Sequence, residues 1–408
     1  MSAASTVSQG PSPSMRTRLR DLSDRHRSMT VLAGVLVATI ALYFLAFVPP
    51  FSMLLAQPAW LDSFAGAGIY ILLALGLNIV VGFAGLLDLG YAAFFAIGAY
   101  TYAYGASPFF DFHFPFIPML VVGAAVAAMF GIILGAPTLR LRGDYLAIVT
   151  LGFGEIVPLV FLIAEDYSGG PSGIGGVDRP DITLPIVGTI KFGALTPHMY
   201  FFLVMIVIAL AMILAYRLQD ARIGRAWAAV REDELAAAAN GINTVTTKLL
   251  AFALGATTAG LAGVFASSKL TLVSPEQFTV LVSFAVLAMV ILGGMGNIWG
   301  VAVGAFVVYI IQSVLLRQLS SFFEQLGLTV LADIDYPRYS FLLFGLALVL
   351  MTMFRPEGLF PSQRRRRELH AAEELGDEDA EIIGAMGPTP GSDELLGGSD
   401  QADGGGLR

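Results

Sequence analysis

The chain has 408 residues, 56% of them hydrophobic and 13% charged, with a mean hydropathy of +0.75. One soluble core of this length cannot bury so much apolar surface, so the bilayer must solvate much of it. The formal charge of −8 is concentrated in residues 368–408, where 11 Asp and Glu stand against one Arg, and the absence of cysteine excludes disulfides, thiol catalysis and iron–sulfur chemistry.

In chain order, residues 1–29 form a basic segment with Arg16, Arg18, Arg20, Arg25 and Arg27. Charge-poor stretches then follow at roughly 30–48, 63–84, 89–106, 116–136, 144–164, 197–216, 248–268, 278–293, 299–316 and 338–354. At about 1.5 Å per residue most can cross about 30 Å of hydrocarbon, and as barrel strands they would alternate in polarity. The expected fold is all-α: a polytopic membrane protein of about ten transmembrane helices, with the permease domain at 30–354. The first stretch reads as a retained anchor, because its leader is long and no small-residue cleavage site follows Pro49-Pro50. The third, LGYAAFFAIGAYTYAYG, is short and glycine-rich, which leaves a broken or re-entrant path open.

Basic flanks set the orientation. Arginines before the first span and Arg364 to Arg367 after the last predict cytoplasmic N and C termini. Threading the spans between them puts 18 Lys and Arg inside and only Arg179, Lys191, Lys269, Arg317 and Arg338 outside. Residues 355–408 form a cytoplasmic tail whose acidic, Gly- and Ser-rich end is too poor in large apolar residues to offset the entropy of ordering.

The longest cytoplasmic connection, 217–247, contains RIGRAWAAVREDELAAAANGIN. Its Ala, Leu and Trp content predicts a short helix, and Asn240-Gly241 suits its C-terminal cap. Such a helix could seat on a partner through small residues, with Glu232, Asp233 and Glu234 near Arg225 and Arg231. A solvated helical hairpin is the plainer reading of the same spacing.

In the fifth span Glu155 lies eleven residues beyond Asp144, about 16 Å deeper along a helix, where a carboxyl is costly. Gly152 and Gly154 beside it predict a broken helix that offers backbone polar groups. Glu155 then either shapes a pathway or accepts hydrogen bonds between helices. Asn78, Asp88, Tyr91, Tyr145 and Thr150 are the other polar groups in or beside spans, with the same two readings. SGGPSGIGG, with Gly169, Gly170, Pro171 and Gly173, has the permissive backbone of a tight outer loop.

No G-x-x-x-x-G-K-[ST] sequence occurs, so the chain has no loop to cradle ATP. The four His form no H-E-x-x-H pair or compact cluster, so no metal site or other cofactor is expected in this chain.

Several strings resemble one family: GLNIVVGFAGLLDLGYAAFFAIGAY (76–100), LRLRGDYLAIVTLGFGEIV (139–157), SGGPSGI (168–174), KLLAF (248–252), VSPEQFT (273–279), LAMVILGGMGNIWG (287–300) and RPEGLF (355–360). Together they resemble the LivM-type permease subunits of bacterial branched-chain amino acid ABC importers, over most of residues 65–360. The 225–241 segment resembles the coupling loop of ABC permeases, with Arg225, Arg231 to Glu234, Ala237 and Gly241 at matching places. The Glu-to-Gly distance is one residue longer than in the common importer pattern, as in the LivM branch. Where many relatives carry Ser-Leu-Gly-His, this chain has Asp88-Leu89-Gly90-Tyr91.

The resemblance implies an ABC importer permease of the branched-chain amino acid/ribose type in the bacterial cytoplasmic (inner) membrane, moving Leu, Ile or Val. It implies a second homologous permease subunit, two P-loop ATP-binding subunits that hold ATP and Mg2+, and a periplasmic or extracellular binding protein. The lipid bilayer is the solvent and no nucleic acid is expected. Two alternatives stay open: an ABC permease for urea, short amides or other amino acids, and an ion-coupled secondary transporter using Asp88 and Glu155.

Overall fold

In the computed structural model the described residues are 27–45, 57–138, 144–184, 188–193, 196–325, 336–355 and 358–360. The basic leader before Arg27, Arg140 and Arg142, Arg364 to Arg367 and the acidic tail lie outside them.

Helix α1 spans Arg27–Leu45 and α2 Gln57–Leu77, which runs on into a π-helical turn at Asn78–Phe83. Then come α3 (Tyr91–Gly105), a β1–β2 hairpin (Ala106–Ser107 with Phe112–His113), α4 (Phe116–Thr138) and α5 (Asp144–Ile163). Strand β3 (Ile174–Gly175) precedes the β4–β5 hairpin (Asp181–Leu184 with Gly188–Lys191) and α6 (Pro197–Asp220). Two short helices follow, α7 (Arg222–Glu232) and α8 (Glu234–Ala239), and then the long α9 (Thr244–Leu270). Strand β6 (Leu272–Val273) pairs antiparallel with β3 and leads to α10 (Val280–Gly293). Helix α11 (Ile298–Ile310) passes through a second π-helical turn, Ile311–Leu315, into α12 (Leu316–Gln325), and α13 spans Ser340–Phe354.

The core forms around α2 and α9, whose membrane-length windows are 89% and 72% buried. Helix α9 packs on α3, α4 and α2, and α2 also packs on α6 and α11. Small residues set these distances: a Cβ on Gly98 of α3 would lie 2.4 Å from the Gly260 carbonyl oxygen of α9, so the two backbones touch directly. Close approach gains dispersion contact, the main attraction between helices where lipid removes the hydrophobic drive. By contrast α1, α4 and α5 are only 11%, 28% and 22% buried, so their apolar outer faces are left for lipid or another chain.

Among the described residues eight helices are long and apolar enough to cross a membrane. The segments expected to be the third and tenth spans are α3 and α13, each of 15 residues. At about 1.5 Å per residue each reaches only about 22 Å, so the expected ten spans are not matched one for one. Helix α3 is continuous and almost wholly buried. The expected break at Gly152 and Gly154 is absent, since α5 runs through both glycines and through Pro158 without interruption. A carboxylate beside two glycines is therefore not enough to open a helix whose neighbours hold it.

Candidate coupling segment and polar pathway

The connection between α6 and α9 is two helices where the sequence predicts one. The chain is extended at Asp233 (φ −153°, ψ 113°), whose Oδ1 accepts from the Leu235 and Ala236 N–H groups at 2.8 and 3.0 Å. The aspartate thus ends α7 and caps α8, as short acidic side chains do at helix starts. At the other end Ile242 N–H donates to the Ala237 carbonyl and Gly241 takes φ +83°, the left-handed stop expected of Asn240-Gly241.

Three ties hold this pair to the membrane helices. Trp227 is fully buried, stacks on Phe83 at 6.5 Å and donates through Nε1 to the Thr247 carbonyl at 2.7 Å. Arg231 donates to the Gly82 carbonyl at 2.6 Å. Lys248 at the start of α9 is nearly buried and meets Glu234 at 2.6 Å. Arg225, Glu232, Asp233 and Gly241 are exposed, with Ala237 buried between them. Leu235 is 69% exposed, and Ala236, Ala238 and Ala239 are exposed beside it. The outer side of α8 is therefore apolar and uncovered while its inner side is anchored. Trp227 and Lys248 are not among the residues the sequence singles out as functional, although a lone Trp among charges and one of only three lysines are visible signals.

The polar groups expected to line a pathway divide in two. Asn78, Asp88, Tyr91 and Thr150 are all buried. Asn78 Oδ1 accepts from Gly296 N–H at 2.8 Å, which joins the π-helical turn to the start of α11. Asp88 Oδ1 accepts from Gly90 N–H at 3.0 Å, and Thr150 Oγ1 accepts from Leu89 N–H at 3.1 Å. Tyr91 donates to the Gly255 carbonyl at 2.9 Å and lies 3.2 Å from Thr258 Oγ1. Asp88 Oδ2 has no partner among the described residues and borders a cavity of about 10 Å³ beside Thr150 and Phe252, room for roughly one water. Asp88 and Thr150 border one cavity, and Asn78 and Tyr91 tie the same segment to α11 and α9.

Tyr145 and Glu155 lie on the outer side of α5, away from that cluster. The reason is the seat of α5: a Cβ on Gly90 would lie 2.0 Å from the Thr150 carbonyl oxygen, and one on Gly154 3.0 Å from Gly90 Cα. With the Thr150–Gly154 face pressed on Gly90, Glu155 is turned about 100° from Gly154 and points outward. Gly152, on the same outer side, would meet nothing within 4 Å of an added Cβ.

The glycine-rich loop at Gly169–Gly173 is held firmly. Gly169, Gly170 and Gly173 have positive φ, and Ser168 donates to the Phe161 and Ala164 carbonyls while accepting from Gly170 N–H. Pro171 is exposed at its tip, and β3 pairs with β6 just beyond the end of α9. On the β1–β2 hairpin, His113 Nδ1 meets Asp178 Oδ2 at 2.5 Å, and Asp178 raises the His113 pKa above its ordinary 6.5. Among the described residues no group of three His, Asp or Glu could hold a metal ion.

Residues 60–352 match the family described as branched-chain amino acid transport system / permease component. The high-affinity branched-chain amino acid transport system permease proteins LivM of Salmonella typhimurium and Escherichia coli are each 38% identical over 331 residues, covering 76% of this chain and 72% of theirs. A probable branched-chain amino acid transport permease protein LivM of Methanocaldococcus jannaschii is 27% identical over 327 residues, covering 72% of this chain and 91% of its own. No solved structure matches the chain.

Proposed function

The chain belongs to the branched-chain amino acid transport system permease component family, and from that premise we propose that it is the membrane-spanning permease subunit of an ATP-driven, binding-protein-dependent importer of Leu, Ile and Val in the bacterial inner membrane. It is a transport subunit and not an enzyme. ATP and Mg2+ belong to two P-loop subunits, and a second homologous permease completes the membrane part. A binding protein delivers the amino acid to the side of the glycine-rich loop, Gly169 to Gly173. Both termini are cytoplasmic, with 1–29 a basic leader, 30–354 the permease domain and 355–408 the tail.

The observation that carries the mechanism is the anchoring of α7 and α8 on one side and their uncovered apolar surface on the other. An ATP-binding subunit seated on Leu235 and the alanines of α8 moves the pair as the nucleotide sites close. Arg231 and Trp227 pass that motion to the π-helical turn at Asn78–Phe83, and Lys248 passes it to α9. A π-helical turn is a wide, weakly held piece of helix and a natural place to yield. Its far side leads to the buried Asp88 and Thr150 on the inner side of α5, while Glu155 on the opposite, outward side of that helix borders the route of the amino acid. Alternating access follows when the turn shifts α3 against α5.

The test is the whole complex in lipid, with binding-protein-stimulated ATP hydrolysis and leucine uptake measured for wild type, Glu234→Arg and Gly241→Pro. Loss of both activities with the complex still assembled supports the reading. Leucine uptake that persists without the ATP-binding subunits overturns it in favour of an ion-coupled carrier.

A further inference from the structure

A half-enclosed cavity of about 360 Å³ lies between α2, α3, α9 and α11, at the end of the molecule opposite the coupling pair. Helix α9 fixes its position: Lys248 is tied to α8, whereas Lys269 lines the cavity 21 residues further on, about 31 Å along the helix. The volume falls within the about 300–1,000 Å³ of small-molecule sites.

Its lining is divided by polarity. Ile69 and Phe95 give an apolar end, while Lys269, Arg317, Tyr309 and Gln312 supply polar groups. Lys269 is already neutralised by Asp62 at 2.9 Å. Arg317 is exposed and has no acidic partner among the described residues, so among them it is the cation of this lining without a counter-charge. Gln312 sits in the second π-helical turn, and Tyr309 is packed so closely on Gly66 that a Cβ there would lie 2.1 Å from its hydroxyl. A guanidinium offers the paired donors that fit a carboxylate. Apolar surface at the other end fits an aliphatic side chain.

We propose that this cavity is a receiving site for an aliphatic α-amino acid, with Arg317 holding the carboxylate and the Ile69–Phe95 end holding the side chain. The proposal rests on the importer reading above and adds a substrate site inside this chain, on the outer side, between release from the binding protein and passage inward. The exposed Arg317 also suits an anionic lipid headgroup, which has the same charge chemistry.

The experiment is equilibrium binding of radiolabelled leucine to the whole importer in nanodiscs, without binding protein or ATP, in zwitterionic lipid and again with phosphatidylglycerol. Saturable binding is expected in both lipids, competed by 4-methylpentanoate and not by 3-methylbutylamine, which lacks the carboxylate. Arg317→Gln should weaken it at least tenfold and Arg317→Lys distinctly less. Wild type that imports leucine with its binding protein yet binds none here overturns the site while leaving the importer reading intact. Competition by the amine, unchanged affinity in Arg317→Gln, or a defect confined to phosphatidylglycerol nanodiscs also overturns it, the last by assigning Arg317 to lipid. Wild type that imports no leucine at all overturns the importer reading itself.

Discussion

Arg231 and Gly82 are 149 positions apart in the sequence, and the guanidinium of the first donates to the carbonyl of the second at 2.6 Å. The carbonyl belongs to the π-helical turn, and Gly85 leaves room for the arginine stem, since a Cβ there would lie 2.6 Å from Arg231 Cγ. A charged hydrogen bond of this kind contributes about 1.5–3 kcal/mol. Arg231→Gln should therefore lower leucine uptake by the assembled importer by roughly tenfold. ATP hydrolysis should fall less than uptake, because the ATP-binding subunits would still close on a pair of helices that no longer pulls on the turn. Equal uptake in variant and wild type would remove Arg231 from the coupling route.

Lys248 and Glu234 form a second link, with the ammonium 8% exposed and the carboxylate 39% exposed. Removing Glu234 leaves a nearly buried ammonium without its counter-charge, a cost of about 1–3 kcal/mol. Glu234→Gln and Lys248→Met should each lower the thermal midpoint of the purified complex. The double variant should be less destabilised than the sum of the two. Strict additivity in that cycle would mean the pair does not act as one.

Most of the spans and the helical insert between α6 and α9 were legible because each is a local pattern: long charge-free runs, and a charged, alanine-rich stretch between them. Strings shared with a family added the function. What was not legible lies in tertiary contacts. Nothing near Glu155 states that Gly90 will press on Thr150 and turn the carboxylate outward, and Gly152 and Gly154, one residue apart, read as a break where close packing uses Gly154 as a seat. The split between α7 and α8 was equally hidden, because Asp233 reads as one more solvated charge until its side chain is seen capping α8. The shortness of the third stretch was legible, but its path was not: α3 is one unbroken helix that ends after 15 residues in the β1–β2 hairpin.

The seat of α5 on Gly90 leaves no space for a methyl group, which would lie 2.0 Å from a backbone oxygen that cannot swing aside. Gly90→Ala should destabilise the purified subunit by about 1–3 kcal/mol, the usual cost of overpacking. Gly152→Ala is the control, since nothing lies within 4 Å of the added Cβ. A mid-helix alanine should even gain about 0.5–1 kcal/mol over glycine. Thermal unfolding in detergent checks both, and equal midpoints for the two variants would show that α5 is seated elsewhere.

His113 and Asp178 join the β1–β2 hairpin to the segment after β3. Because Asp178 raises the His113 pKa in the folded protein, the pair contributes stability that is fully present below the unfolded value of 6.5 and is lost as pH rises through the raised folded value. The thermal midpoint of wild type should thus exceed that of His113→Asn most in mildly acidic buffer, with the gap closing as the medium turns alkaline. A gap that grows with pH would reverse the sign and remove the ion pair as its cause.

Glu155 stands eleven residues into α5 from Asp144, about 16 Å along a helix whose outer side also carries Tyr145, Ile148, Ile156 and Leu159. In lipid a carboxylate at such depth costs about 2.5–3.5 kcal/mol by insertion scales. The seat on Gly90 prevents the helix from rotating it inward. The cost is avoided if this side of α5 faces water or polar groups, as it does when it borders a pathway shared with the second permease. Glu155→Gln keeps the shape and removes the charge, so leucine uptake should fall at least fivefold while the complex assembles in the same yield, and Glu155→Asp should recover part of it. Full uptake by Glu155→Gln in an assembled importer would leave the charge without a role in transport. A drop in assembly yield in place of turnover would make the residue a contact between subunits.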